Sequence, residues 1–450
     1  MNTSPSLYTP QGWRTLHPSA RQLIAARFLR SIAQGALGVD FTLYLGVRGW
    51  SAPEVGALLM AGGLAGAVLS LWVGVYSDRV GRKGFLLFYE AGLALGTAAI
   101  LLFPAAWLLV VTGALFGFGR GANGASGPFA PAEQAWLAQN VPGKVRGKVF
   151  SFNAALQFWG MGIGSLLAAV LPHMIPGLSA AAAYMPMFIL NLLMAIINFV
   201  QIKVIPEARP GSEQAVEESK ARDRQEIADR PEGATTATSG MDDAQIRRHE
   251  NRALTLLTLV NMTNSLGVGI VAPLLPYWFH LKFGVGPEAI GPVYSLTFVL
   301  TGLSSLYIGR MSERIGLTKS IIFPRLIGIL TLIAMPFMPY FWLAAILYVL
   351  RSIVNRGSVG ARQAFSVSLV RDQRRGMASS LNAVSWNVPA AFGPAIGGWL
   401  IGSGSLILPF ALASVFQLAY IVLFGTVLGR YEERPPAAPK PPDPAINREA

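Results

Sequence analysis

An apolar run long enough to cross a bilayer constrains a chain more than any motif, because its backbone must satisfy its own hydrogen bonds in hydrocarbon. Here Val55 to Val75 holds no charged residue, and Phe85 to Val111 holds one, Glu90. Between the runs lies Gly74–Lys83, whose charges cannot enter hydrocarbon cheaply. Those charges predict a short turn at a membrane surface, with Asp78 just past a helix end. Only 13% of the 450 residues are charged, against about 25% in a soluble domain. The pattern predicts an all-α membrane protein.

Twelve spans are expected, at about 23–47, 54–76, 84–104, 106–137, 148–171 and 182–204, then 252–280, 287–308, 319–339, 341–369, 377–402 and 405–428. They divide the chain into an N-terminal segment (1–22), a six-helix half (23–204), a polar linker (205–251), a second six-helix half (252–428) and a proline-rich tail (429–450). Residues 1–22 lack the apolar core of a cleaved signal peptide. In span 7, Pro273 and Pro276 remove two backbone donors and predict a broken helix near its outer half.

Basic residues orient these spans. Arg27, Arg30, Arg120, Arg325, Arg351, Arg356 and Arg362 fall inside spans, and Arg48 and Lys282 fall in loops on one side. The rest of the 36 lysines and arginines lie in the termini, the linker and the loops of the opposite side. The expectation is a multi-pass protein of the cell membrane with both termini cytoplasmic. The net charge of +13 is then topological and predicts no nucleic-acid partner. The chain has no cysteine, and its four histidines all lie away from the middle of a span, so no metal site or cofactor is expected. No phosphate-binding loop or nucleophile–base pair marks an enzyme.

The two halves repeat. Ser77-Asp78-Arg79-Val80-Gly81 matches Ser312-Glu313-Arg314-Ile315-Gly316, and Arg120-Gly121 matches Arg356-Gly357. Ala132-Glu133-Gln134-Ala135-Trp136 matches Ala361-Arg362-Gln363-Ala364-Phe365, and Asn153-Ala154 matches Asn382-Ala383.

With this repeat, the spacing G-x-x-x-D-R-x-G-R-K resembles the loop 2–3 signature of the major facilitator superfamily. Gly74, Asp78, Arg79, Gly81, Arg82 and Lys83 fit it, and Gly309, Glu313, Arg314, Gly316 and Lys319 fit its weaker second-half copy. Arg120 and Gly124 fit the arginine motif of helix 4. The resemblance implies two pseudo-symmetric six-helix halves, a cavity lined by helices 1, 4, 7 and 10, and a loop motif that latches the cytoplasmic side. The glycine-proline pair of the antiporter-associated helix 5 motif is absent from Phe158–Gly164, whereas Gly393-Pro394-Ala395-Ile396-Gly397-Gly398 stands in helix 11.

Residues that cost most in a membrane are the candidates for mechanism. Asp40 and Glu90 are candidate proton sites. Gln34, Asp40, Arg120, Asn123, Asn261, Asn264, Arg351, Asn355 and Ser358 are candidate cavity residues. Arg351, Asn355, Ser358 and Arg362 share one face of helix 10 by their spacing. Glu133 and Arg362, repeat equivalents of opposite charge, are a candidate gate between the halves. Glycines 160, 162, 164, 393, 397 and 398 read as close-packing positions. The expected function is a monomeric secondary active transporter moving a small organic solute by alternating access, with protons as the exchanged ion in efflux. A symporter or uniporter for an organic anion is the second reading, supported by the excess of span arginines over span acids. A membrane sensor or scaffold is the third.

Overall fold

The computed structural model describes residues 16–119, 130–141, 143–206, 243–315, 317–357, 369 and 375–428, and every regular element among them is helical. In the first half, α1 spans Pro18–Val47, α2 Ala52–Val80, α3 Arg82–Leu102, α4 Ala106–Phe116, α5 Ala130–Gln139, α6 Gly143–Val170 and α7 Met185–Val204. In the second, α8 spans Asp243–Val271, α9 Leu275–Phe283, α10 Pro287–Ile315, α11 Leu317–Ala334, α12 Phe341–Gly357, α13 Arg375–Gly402 and α14 Leu408–Leu423. By length and composition, six of the described helical runs can cross a membrane. Leu95, Leu102, Trp107, Leu330, Trp342 and Val415 are among the large apolar side chains exposed on the outside, a surface that a bilayer solvates and water does not.

Local signals start several helices. Pro18 opens α1, and the His17 ring accepts from the Ser19 amide. Ser51 precedes α2 with Pro53 in the first turn, and Glu54 reaches back to the Ser51 amide at 2.7 Å. As the two prolines predict, the seventh span breaks: α8 ends at Val271, a single 3-10 turn covers Ala272–Leu274, and α9 resumes at Leu275.

Two expectations need correcting. Span 4 is not one helix over 106–137. Its first part stops at Phe116, where Gly117 takes a left-handed φ of 70° that no ordinary side chain adopts cheaply, and the next described helix is Ala130–Gln139. The Gly74–Lys83 stretch is not a turn over its whole length, and Asp78 does not follow a helix end. α2 continues through Asp78 and Arg79 to Val80, and Gly81 alone, at φ 105° and ψ 146°, turns the chain into α3.

Glycine lets the helices of each half meet backbone to backbone. A Cβ on Gly35 would overlap the Met161 backbone, and one on Gly160 would lie 2.6 Å from the Phe28 carbonyl oxygen, so α1 and α6 touch closely. In the second half Gly269 of α8 meets Ala390, and Gly393 and Gly397 of α13 meet Gly269 and Ile270. Gly35 and Gly269, 234 positions apart, thus occupy equivalent places.

The halves join along two antiparallel helix pairs. α2 meets α13 where Gly56 and Gly398 face each other and Gly63 lies against Ala391. α6 meets α10 where Gly291 approaches Ser165 and Gly302 approaches Trp159. Beside these contacts the Tyr277 hydroxyl donates to the Trp50 carbonyl at 3.5 Å, and His173 stands 3.4 Å from Glu288. The pairs Gly398–Ala52, Tyr277–Trp50 and His173–Glu288 all lie at the end of the bundle away from the start of α1.

Candidate functional site

Four helices of the first half converge on a buried set of charges. Arg27 and Arg30 are one turn apart on α1 and are 5% and 7% exposed. Arg30 Nε donates to Glu90 Oε1 of α3 at 2.6 Å, and Arg30 Nη1 donates to Glu133 Oε2 of α5. Arg27 Nη1 lies 3.5 Å from Glu133 Oε1, and Arg27 Nη2 donates to Gln157 Oε1 of α6 at 2.6 Å. Two cations and two anions cancel here. Removing them from water costs several kcal/mol per ion, which only such close pairing offsets.

The second half carries the same frame with other side chains. The spacing that relates Gly35 to Gly269 relates Arg30 to Asn264, and one residue more relates Glu90 to Arg325. These equivalents also pair: Arg325 Nη1 of α11 donates to Asn264 Oδ1 of α8. Asn261, the equivalent of Arg27, donates to Asn382 Oδ1 of α13 at 3.0 Å. The cation has moved from helix 1 of its half to helix 3, and among the described residues no carboxylate pairs with it.

Arg325 instead lies over the Tyr420 ring, 4.7 Å from its centroid. Arg351 of α12 is 5% exposed, and its Nε has no hydrogen-bond partner. Arg356, half-buried near the end of α12, stands 5.1 Å from the Phe298 ring centre and 5.8 Å from that of Phe158. Phe158 and Phe298 stack across the two halves at 6.3 Å. Arg325, Arg351 and Arg356 form no ion pair among the described residues, and Arg351 lies within charge-interaction reach of the other two.

Asp40 is fully buried on α1, and neither carboxylate oxygen finds a hydrogen-bond partner. Aromatic rings crowd its stretch of helix: Phe41 lies 5.4 Å from Phe118, and Tyr44 lies 5.3 Å from Phe188. Gln34 is half-buried on the same helix, and Asn355 is half-buried on α12. Arg120, Asn123, Gly316, Ser358 and Arg362 lie outside the described residues. Gly74, Asp78 and Arg79 are in α2, and Gly309, Glu313 and Arg314 are in α10, with only their backbone described. Lys83 ties the Gly81 joint to α7, donating to the carbonyls of Lys203 and Ile205 at 2.7 and 2.8 Å.

Sequence reasoning recorded Arg27, Arg30 and Arg325 only as charges inside spans and did not connect them to Glu90, Glu133 or Asn264. The offset of the loop motif, carried into helices 3 and 9, would have aligned Glu90 with Arg325, whereas aligning Arg30 with Asn264 in helices 1 and 7 needs an offset one residue shorter, which the glycine contacts supply.

Comparison with known proteins agrees with this architecture. The Major Facilitator Superfamily model matches residues 15–248 and 257–449. An uncharacterized membrane protein of Saccharomyces cerevisiae, YJR124C, is 23% identical over 299 residues, covering 63% of this chain and 65% of that protein. The uncharacterized MFS-type transporter YdeE of Escherichia coli is 30% identical over 158 residues, covering 35% of this chain and 38% of that protein. The matched part thus spans less than two thirds of either relative. Among solved structures, that of a D-xylose-proton symporter superposes with a TM-score of 0.67 at 15% identity, over 90% of this chain and 97% of the other.

Proposed function

This chain belongs to the Major Facilitator Superfamily, and we propose that it moves a small organic solute across the cell membrane by alternating access, exchanging it for protons in the direction of efflux. It acts as a monomer with both termini cytoplasmic. The observation that carries the reading is the seam between the halves. Small residues of α2, α13, α6 and α10 bring the halves together at one end of the bundle, while each half buries polar groups along its own axis. Two halves that meet through small residues along two helix pairs can rock against each other and expose a site between them to one side at a time.

Asp40 supplies the proton site in this proposal. A buried carboxyl that no donor faces is suited to carry a proton, whereas Glu90 and Glu133 are engaged by arginines. Symport or uniport of an organic anion is the second reading, favoured by three C-half guanidiniums that form no ion pair among the described residues.

The test uses purified protein in proteoliposomes under an imposed pH gradient. A lipophilic cation, a neutral aromatic amide and an aromatic carboxylate are offered in turn, and solute and protons are followed together. Protons moving against the solute support exchange. Protons moving with it replace exchange by symport. No solute movement above that of protein-free vesicles removes the transport reading.

A further inference from the structure

The two halves differ in how they treat buried cations. In the first half Arg27 and Arg30 are answered by Glu90 and Glu133, all four almost fully buried. In the second, Arg325 and Arg351 are 4% and 5% exposed, yet among the described residues they form no ion pair, and Arg325 meets an amide and an aromatic face. The Nε atoms of Arg325 and Arg351 and one Nη of Arg356 are buried with no hydrogen-bond partner. A guanidinium offers five donors in a planar fork suited to a carboxylate or a phosphate, and leaving several donors unmet in a dry interior is expensive. The repeat makes the omission specific, since the place of Glu90 in the first half is taken by Arg325 in the second. Among the described residues, no anion stands beside these guanidiniums.

We propose that this cluster is the binding site for an organic anion, whose carboxylate or phosphate is taken by Arg351 and Arg356 with Arg325 behind them. Arg356 is the half-exposed member and lies against Phe158 and Phe298, one from each half, so an anion between the halves meets it first. The stacked pair Phe158–Phe298, with Tyr294 and Tyr348 at 5.0 Å from each other, offers flat apolar surface for an aromatic or hydrocarbon body. The inference rests on the transport reading for its purpose and holds for either direction of transport.

Equilibrium binding tests the site apart from transport. The full-length protein in detergent is titrated with benzoate, phenyl phosphate and the neutral isostere benzamide at constant chloride, and thermal unfolding is followed, since a binder of the native state raises the midpoint. Benzoate or phenyl phosphate is expected to stabilise the protein and benzamide is not; which anion acts at the lower concentration tells carboxylate from phosphate. Arg351→Gln is expected to weaken the anion by about tenfold or more. Arg48→Gln, at an exposed loop position bonded to the Pro104 carbonyl, is expected to leave it unchanged. If Arg351→Gln does not fold, Arg351→Lys and Arg356→Gln take its place, each with the same expected loss. Three results overturn the proposal: no stabilisation by either anion up to about 10 mM, equal stabilisation by benzamide, or undiminished anion binding in the arginine variants. Exchange of labelled benzoate by proteoliposomes is measured beside it. Binding without exchange keeps the site and removes transport; transport of a neutral or cationic solute without anion binding does the reverse.

Discussion

Arg30 Nε and Glu90 Oε1 stand 2.6 Å apart inside the first half, with the Glu90 side chain wholly inaccessible to water. The pair joins α1 to α3, and through Glu133 the same guanidinium holds α5. Removing Arg30 strands Glu90 in the interior and leaves Glu133 with Arg27 alone, while removing the charge of Glu90 leaves Arg30 still held by Glu133. Arg30→Gln should therefore cost about 3–5 kcal/mol of stability, more than Glu90→Gln. The double variant Arg30→Leu/Glu90→Leu should recover part of the loss, because no lone charge remains between those two positions. Thermal unfolding of the three proteins in one detergent checks the order. A double variant weaker than the sum of its parts would show that shape, not charge, governs the site.

The two kinds of glycine contact should fail differently. A side chain at Gly164 runs into the Ile32 carbonyl within one half, whereas one at Gly398 runs into the Ala52 carbonyl of the other half. Gly164→Leu should destabilise the fold by about 1–3 kcal/mol, as overpacking does. Gly398→Leu can be relieved by parting the halves, so it should shift their equilibrium toward opening at that end by about tenfold. By contrast His173–Glu288 is an exposed pair worth about 0–1 kcal/mol, and His173→Ala should move the same equilibrium no more than about fivefold. The chain has no native cysteine, so spin labels at Arg48→Cys and Leu281→Cys report the distance directly. Equal distances in Gly398→Leu and its parent would mean that the seam does not close this end.

Long apolar runs, proline positions and glycine spacing were readable because each acts locally. Pro273 and Pro276 interrupt a helix wherever it packs, and Gly393 and Gly397 sit one turn apart on whatever face meets a partner. The break after Phe116 was harder to see. Gly113, Gly117 and Gly119 look like packing glycines in an apolar run, and only backbone geometry shows Gly117 to be left-handed. The charge network was hidden for another reason. Arg30 is 60 residues from Glu90 and 103 from Glu133, and no local pattern links them. What would have linked them is the repeat, read through the pairs Gly35–Gly269 and Glu90–Arg325 and not through the loop motifs alone.

Asp40 and Glu90 are both buried acids, but their surroundings predict opposite responses to neutralisation. Asp40→Asn keeps the shape and takes the place of a buried carboxyl that meets no donor, so it should not destabilise the protein. If Asp40 carries the exchanged proton, the variant should still move solute between equal concentrations while losing its response to a pH gradient. Counterflow and gradient-driven flux, measured on the same vesicles, separate these effects. Retention of gradient-driven flux would pass the proton role to another group.

Gly81 makes the whole reversal from α2 to α3 at φ 105° and ψ 146°, a conformation almost confined to glycine. Alanine there should cost about 1–3 kcal/mol. Lys83 lies two residues on and holds the end of α7 through two carbonyls. Its charge also suits the negative end of that helix, so Lys83→Gln should cost about 1 kcal/mol without straining the turn. If the stretch serves only as a structural joint, both variants should lose stability while transport per folded molecule stays at the parent level. If it is a latch between states, Gly81→Ala should also change the transport rate, since it alters how Asp78 and Arg79 at the end of α2 are presented. Unfolding midpoints and initial transport rates, normalised to folded protein, distinguish the two. A rate unchanged in Gly81→Ala despite a lowered midpoint removes the latch role.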